Sequence, residues 1–193
     1  MSHTVVVSGI PGVGASRVCE QARRQLGDEY TLVNVGDIML QEALEHGLAT
    51  SREELSRLWL RDQRALQRRA GEHIARRTDS GPLLVNTHLV VETPLGFIPG
   101  LDEAVLRDIQ PAAFVLVDAS DEEIRTRREA SERSYEGLSP IGFHRQLQTA
   151  AAFTFSARSN APIHHVSNEG DVADAADRLA TIVGIISNLG ARR

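Results

Sequence analysis

Residues 5–21 read VVVSGIPGVGASRVCEQ, and this stretch has the glycine spacing of a loop that wraps around a phosphate group. Gly9, Gly14 and Ser16 fit the pattern GxxxxGx[ST], in which glycines let backbone N–H groups approach the anion closely. The serine hydroxyl of this pattern commonly binds Mg²⁺. Ala15 occupies the position that usually holds lysine. The pattern therefore predicts phosphate binding with one positive charge missing, and the alternative is an ordinary Gly/Pro turn.

The missing charge cannot come from another lysine, because all 21 basic residues of the chain are arginines. Arg17 follows Ser16 directly, but successive helical residues point about 100° apart, so its side chain should leave the phosphate side. Any cation that meets a phosphate here must be an arginine. The predicted cofactor-binding stretch consists of Gly9, Ile10, Pro11, Gly12, Val13, Gly14, Ala15, Ser16 and Arg17.

The elements around this loop alternate between buried strands and helices. Short apolar runs predict parallel strands at 4–8, 31–35, 82–87, 112–119 and 162–167. Between them, helical spacing predicts a long helix from Ser51 to about Thr78, a helix from Ser120 to about Arg128, and a closing helix over 171–189. The run ETPLGFIPGLD at 92–102 predicts a structured loop. This order predicts one three-layer α/β domain with a parallel sheet of about five strands flanked by helices.

Composition excludes several classes of protein. The chain has 193 residues and a formal net charge of −5, so it lacks the global positive charge typical of nucleic-acid-binding and membrane-surface proteins. A local basic groove remains compatible with this charge. No apolar run approaches the roughly 20 residues that span a bilayer, and the N-terminus has no signal-peptide pattern. We expect a cytoplasmic protein without membrane or nucleic-acid partners.

Several segments together resemble the archaeal-type adenylate kinase family. They occur in the same order and at similar spacing over about residues 4–158, and they read VVVSGIPGVGASR, VNVGDIMLQEALEHGL, QRRAGEHIA, VNTH, TPLGFIPGLD and VDASDEEIRTRR. The resemblance implies a P-loop kinase fold, ATP with Mg²⁺ as phosphoryl donor, AMP as acceptor and a homotrimer. Several family members also carry a small residue in place of the loop lysine.

The resemblance assigns further residues to the site. It implies a helical nucleoside-monophosphate-binding insertion at about 37–78 and a short lid region at about 127–145, whose catalytic arginines are Arg127, Arg128 and Arg133. Tyr135 stands where the family carries a second lid arginine. Asn86 stands where the family carries aspartate, so Ser16 and Asn86 are the predicted metal ligands, with less charge than usual.

The acceptor side is predicted from the segment after the second strand and from the end of the third. Asp37 and an arginine, either Arg52 or Arg57 with Arg57 preferred, are expected to position AMP, together with Thr87 and His88. Polar residues at the carboxyl end of a parallel strand commonly line a ligand site. A solvent-facing helix remains the alternative for these arginines.

Three departures at charged positions, Ala15, Asn86 and Tyr135, support two alternatives to an adenylate kinase. One is a catalytically weak nucleotide-binding paralogue that acts through a protein or RNA partner. The other is a P-loop kinase with a different acceptor.

Overall fold

The computed structural model describes residues 4–131, 135 and 139–190, together with the side chains of these residues except 189 and 190. Within these residues the seven strands are β1 (Thr4–Ser8), β2 (Thr31–Asn34), β3 (Leu83–Asn86), β4 (Val90–Thr93), β5 (Gly96–Pro99), β6 (Ala113–Asp118) and β7 (Ile163–Ser167). The eight helices of the same described part of the chain are α1 (Ala15–Leu26), α2 (Val35–Glu45), α3 (Arg52–Ser56), α4 (Leu60–Thr78), α5 (Glu103–Ile109), α6 (Asp121–Glu129), α7 (Ile141–Ser159) and α8 (Val172–Gly190).

Five strands form a parallel sheet in the order β2-β3-β1-β6-β7. One face packs against α1 and α8 through a core that includes Val18, Ala22 and Leu179. The other face packs against α4, α5 and α7 through a second core that includes Ile74 and Phe114. Both faces are covered because right-handed crossovers place helices on each side of a parallel sheet. The predicted three-layer α/β fold and its five parallel strands are confirmed.

The predicted helix from Ser51 to Thr78 is two helices, α3 and α4. Ser51 caps α3 by accepting a hydrogen bond from the Glu54 N–H, as expected for a capping residue. The chain then breaks before α4, and Gln63 Nε2 donates to the carbonyls of Ser56 and Leu58 at 3.0 and 3.1 Å. A side chain from the next helix thus satisfies carbonyls that the break leaves open.

An antiparallel hairpin, β4–β5, begins at Val90 and covers most of the predicted loop at 92–102; in it Glu92 lies opposite Phe97. Alternation is hard to recognise in such short strands, and Pro94 and Pro99 read as loop residues. The hairpin follows β3 and stands beside the carboxyl edge of the sheet. Within the described residues, no helix has both the length and the apolar character needed to cross a bilayer.

Candidate active site

The loop between β1 and α1 has the backbone of a phosphate cradle. Gly12 and Gly14 adopt positive φ angles of 92° and 88°, which L side chains rarely adopt. The Val13 N–H donates to the Ile10 carbonyl at 3.1 Å and closes the turn. Gly14 has no side chain to cap α1, so the N–H groups of its first turn are available to an anion.

Space as well as backbone geometry requires glycine in this loop. A Cβ atom at Gly12 would lie 2.7 Å from Arg128 Cγ, and one at Gly14 would lie 2.7 Å from Asn168 Nδ2. Both contacts are shorter than packed carbon and nitrogen atoms tolerate. The loop is therefore built together with two side chains that are distant in sequence.

Arg127 donates hydrogen bonds to the backbone of the phosphate loop and of the segment after β7. Its Nη1 donates to the Val13 carbonyl at 2.9 Å, its Nη2 donates to the Asn168 carbonyl at 2.8 Å, and it pairs with Glu123. Both terminal nitrogens of the guanidinium are therefore occupied by contacts within the protein. The structure thus places Arg127 at the predicted site, in contact with the loop backbone.

Asn168, which the sequence did not single out, supports the same carbonyl. Its side chain is buried, and its Nδ2 donates to the Val13 carbonyl at 2.8 Å. Its backbone N–H donates to the Asp118 carbonyl at 2.8 Å. Asn168 directly follows β7, and a polar residue at the carboxyl edge of the sheet was the available signal.

Arg128 approaches the front of the loop. Its Nε and Nη2 both donate to the Pro11 carbonyl, at 2.9 and 2.7 Å. Its guanidinium carbon lies 5.4 Å from the centre of the Tyr135 ring, within the range of a cation–π interaction. Burial lowers the pKa of Arg128, whereas interactions with Tyr135 and Glu92 raise it. An arginine remains charged throughout the physiological range, so Arg128 brings a half-buried positive charge to the loop.

Ser16 and Asn86 meet at the predicted metal position. Asn86 Nδ2, at the end of β3, donates to Ser16 Oγ in the first turn of α1 at 2.9 Å. With Nδ2 directed at Ser16, the oxygens that this pair offers to a cation are one hydroxyl and one amide carbonyl. Mg²⁺ often takes few protein ligands and keeps its waters and the substrate phosphates. Ser16 and Asn86 fit a Mg²⁺ site of this kind, to which they contribute two neutral oxygens and no carboxylate.

Thr87 and His88 follow Asn86 in the chain and lie beside the phosphate loop. The Thr87 N–H donates to the Val7 carbonyl at 3.0 Å, and the His88 ring Nδ1 lies 2.7 Å from the Gly9 carbonyl. His88 is therefore bound to the loop backbone. The structure places these two predicted acceptor residues at the carboxyl edge of the sheet, beside the loop.

Asp37 pairs with Arg52 and not with Arg57. Asp37 lies in the first turn of α2, and the Arg52 guanidinium binds its carboxylate beside Gly36. Arg57 instead pairs with Glu53 on the surface at 2.7 Å, with 68% of its side chain exposed. The structure thus places Arg52 beside Asp37 and Arg57 at the end of α3, and the choice of Arg57 for AMP binding stays a prediction. Arg133 lies outside the described residues.

His144, in the first turn of α7, is a buried titratable group near the site. Its side chain is 1% exposed, and its Nδ1 lies 3.9 Å from a Glu92 carboxylate oxygen. Burial lowers the pKa of His144 most strongly; the Arg128 charge also lowers it, and Glu92 opposes both. Desolvation disfavours the charged imidazolium, so the ring is neutral in the folded protein at neutral pH.

We expect the free energy of unfolding to fall as the pH drops below about 6.5, because unfolded His144 takes up a proton there and folded His144 does not. The measurement is urea unfolding at pH 7 and pH 5. The variant His144→Gln should show a shallower loss than the wild type. His165→Gln is the control for removal of a histidine, because 63% of the His165 side chain is exposed. A wild-type pH slope in His144→Gln would contradict this assignment.

Solved structures of similar fold include a gluconokinase from Sinorhizobium meliloti 1021, with a TM-score of 0.56 at 16% identity over 98% of this chain and 96% of that one. A sugar kinase from Janibacter sp. HTCC2649 gives a TM-score of 0.53 at 15% identity over 96% of both chains. At this identity the likeness establishes the fold alone, and it agrees with the α/β kinase architecture.

Sequence relatives carry the assignment further. Residues 8–141 match the protein family described as an AAA domain. The adenylate kinase of Methanothermobacter thermautotrophicus is 38% identical over 89% of this chain and 94% of its own length. Those of Methanopyrus kandleri and Pyrococcus furiosus are 36% and 34% identical, covering 92% and 97% of this chain and 95% and 98% of their own lengths. The chain therefore belongs to the archaeal-type adenylate kinase family of P-loop nucleoside monophosphate kinases.

Proposed function

We propose that this protein transfers the γ-phosphoryl group of ATP, bound with Mg²⁺, directly to AMP and forms two molecules of ADP. The observation that carries the proposal is the glycine loop at the N-terminus of α1 with the Arg128 guanidinium on its Pro11 carbonyl. Phosphoryl transfer depends mainly on positioning and on stabilisation of negative charge, and less on acid–base chemistry. A backbone cradle and an arginine guanidinium meet those two needs.

Backbone N–H groups of the loop and of the first turn of α1, except at Pro11, which has none, and at Val13, which donates to Ile10, would bind the β- and γ-phosphates of ATP, helped by the dipole of α1. Arg128 would exchange its Pro11 carbonyl for phosphoryl oxygens, since a guanidinium binds two oxygens of one phosphate at once. Arg133 is proposed for the same group. Arg127 would keep the Val13 carbonyl turned away from the phosphates. Arg128 and Arg133 would thus supply the positive charge that the single lysine supplies in the general loop pattern.

The bound Mg²⁺ would neutralise part of the triphosphate charge and hold its oxygens in line for transfer. Ser16 and Asn86 are the residues proposed to contact it. On the acceptor side, Asp37 with Arg52 and the segment Thr87–His88 would position AMP. The arginine would face the AMP phosphate once its pairing with Asp37 loosens.

We expect Asn86→Asp to lower the Mg²⁺ concentration for half-maximal rate about thirtyfold, since one added negative charge contributes about 2 kcal/mol toward a divalent cation at 4 Å in water. Titration of Mg²⁺ at constant free nucleotide measures this change. Asn34→Asp is the matched control, because Asn34 pairs with Asn86 in the sheet register and caps α2 through Gly36. An unchanged Mg²⁺ requirement in Asn86→Asp would remove Asn86 from the metal site.

The deciding experiment is a coupled assay of ADP formation with ATP, Mg²⁺ and each of AMP, CMP, GMP, UMP and dAMP, at low and molar salt. Turnover with AMP that a Ser16→Ala, Arg128→Ala double variant abolishes supports the proposal. Turnover only with another monophosphate would instead support a kinase with a different acceptor. Nucleotide binding without turnover would support the weak paralogue.

We also propose a homotrimer, as the family resemblance implies. Large apolar side chains on the surface, Leu95 at 80% and Phe153 at 68% exposure, support burial in an assembly. Light scattering measures the mass of the purified protein in solution and so tests whether it is a trimer. A monomer at micromolar concentration would refute it.

A further inference from the structure

A small cavity lies between the break that separates α3 from α4 and the turn of the β4–β5 hairpin. It has a volume of about 180 Å³ and is lined by residues 57–60, Gln63 and residues 93–95. An engineered apolar cavity of about 150 Å³ binds benzene, so a space of this size holds a flat ring. Both walls belong to the acceptor side of the proposed site, because α3 and α4 form part of the predicted monophosphate-binding insertion and the hairpin follows Thr87 and His88 in the chain.

Trp59 lines this cavity although most of its side chain lies in solvent. The residue is 75% exposed, and it is the only tryptophan of the chain. It stands at the N-cap position of α4, where its side chain makes no capping hydrogen bond. A large aromatic ring that neither fills the core nor caps the helix is available to a ligand. Trp59 therefore offers an open aromatic surface at the cavity.

Gln63 supplies a hydrogen-bond acceptor whose orientation is fixed. The residue is 3% exposed, and its Nε2 donates to the carbonyls of Ser56 and Leu58 at 3.0 and 3.1 Å. These two bonds decide which end of the amide is the nitrogen. Within residues 4–131, 135 and 139–190, no group donates to the amide oxygen of Gln63. A buried acceptor of this kind is satisfied by water or by a ligand that enters the cavity.

Arg57 adds a positive charge to the same cavity. Its guanidinium pairs with Glu53, and both side chains are mostly exposed. Exposed ion pairs of this kind contribute little to stability, so an anionic ligand can replace Glu53 at low cost. The cavity thus combines an aromatic surface, one oriented acceptor and one exchangeable cation, which suits a base that carries a sugar phosphate.

We propose that this cavity binds the base of the acceptor nucleotide: Trp59 stacks on the ring, and Gln63 accepts a hydrogen bond from an exocyclic amino group. The inference rests on the proposed function, whose acceptor is a nucleoside monophosphate. Stacking tolerates any base, because every base has a π face. Selection comes from the amide oxygen, since adenine and cytosine present an amino donor where hypoxanthine and uracil present a carbonyl oxygen. The cavity therefore favours adenine and cytosine.

The fluorescence of Trp59 tests stacking directly, since no other tryptophan contributes to the emission. The donor loop is first saturated with Mg²⁺ and an unreactive ATP analogue that has a methylene group between its β- and γ-phosphates. Added AMP then meets only the acceptor site. We expect AMP to quench the emission and to slow quenching by iodide several-fold, because the base covers the indole ring. Ribose 5-phosphate, which has the phosphate but no base, should do neither.

Unchanged emission at AMP concentrations that saturate turnover would overturn the inference, and so would an equal effect of ribose 5-phosphate. Emission that depends on protein concentration without nucleotide would also overturn it, because a second copy of the chain would then cover Trp59.

Two substitutions separate stacking from simple apolar contact. Trp59→Leu should raise the KM for AMP about tenfold, whereas Trp59→Phe should stay within about threefold of the wild type. In both variants kcat should change less than twofold, because the base contributes equally to binding in the ground state and the transition state. Leu44→Ala is the control, since Leu44 is 51% exposed on α2 and lies outside the cavity lining. An equal rise of KM in the leucine and phenylalanine variants would contradict stacking.

Selectivity tests the acceptor oxygen of Gln63. We expect kcat/KM for AMP to exceed that for inosine monophosphate at least about tenfold, because the carbonyl oxygen of hypoxanthine would face the amide oxygen. Gln63→Met removes that oxygen, and the preference for AMP should then fall to within about threefold. Equal kcat/KM for the two nucleotides in the wild type would overturn the role of Gln63, and this comparison decides the matter even if Gln63→Met does not fold. A preference that Gln63→Met retains in full would overturn that role as well.

Failure of the proposed function and failure of this inference give different results. Quenching by AMP without turnover of any monophosphate would refute the kinase activity and retain the base site. Turnover of AMP without quenching would retain the kinase activity and refute the base site.

Discussion

Replacing Arg128 with alanine is expected to lower kcat by about 10²- to 10³-fold, the usual cost of losing one preorganised donor to a developing charge. Arg128 is the described cation that lies on the front of the phosphate loop, and Ala15 leaves no lysine to share its work. Stopped-flow or coupled measurement of ADP formation at saturating ATP and AMP gives kcat directly. The loss should appear in kcat more than in KM, because charge on the transferred group builds up in the transition state.

Two neighbouring arginines on α6 serve as controls for this result. Arg125 is exposed, and Arg125→Ala should keep kcat within about twofold of the wild type. Arg127→Ala should chiefly raise the KM for ATP, since Arg127 binds the Val13 and Asn168 carbonyls. Equal losses of kcat in Arg127→Ala and Arg128→Ala would contradict the division of roles between them.

Gly14→Ala is expected to raise the KM for ATP at least tenfold. The substitution places a Cβ 2.7 Å from Asn168 Nδ2, so Asn168 must move away from the Val13 carbonyl that it supports. The backbone also has to keep a φ of 88°, which costs an L residue roughly 1–2 kcal/mol. Nucleotide binding by titration calorimetry, together with steady-state kinetics, measures the effect.

Gly47→Ala separates backbone strain from damage to the site. Gly47 also has a positive φ, 65°, but a Cβ there meets no atom within 4 Å. It should therefore lose a similar free energy of unfolding and retain ATP binding. If Gly47→Ala weakened ATP binding as much as Gly14→Ala does, the loss would come from global destabilisation and not from the cradle.

Most of the fold could be predicted because its signals are local. The five buried strands of the sheet are short apolar runs with turn residues between them, and each appears within about two residues of its predicted bounds. The hairpin and the break between α3 and α4 could not be predicted in the same way. At the break, Gln63 of the next helix satisfies the carbonyls of Ser56 and Leu58. In the hairpin, the strands are too short for alternation to be recognised, and their prolines indicate a loop.

The candidate site, like the fold, could be predicted from the sequence only in part. The sequence by itself determined the phosphate loop, because its glycines must adopt backbone angles and close contacts that other residues resist. It also determined the absence of any lysine and the order of strand, loop and helix. The loop and the order of elements depend on residues that are close together in the sequence, and the absence of lysine follows from the composition alone.

The tertiary structure alone decided which side chains surround that loop. Arg128 reaches Pro11 across 117 positions, and Asn168 reaches Val13 across 155. It also placed Arg52, and not Arg57, beside Asp37. No local spacing encodes such contacts, because they arise only where parallel strands bring their carboxyl ends to one edge of the sheet and helices pack around it.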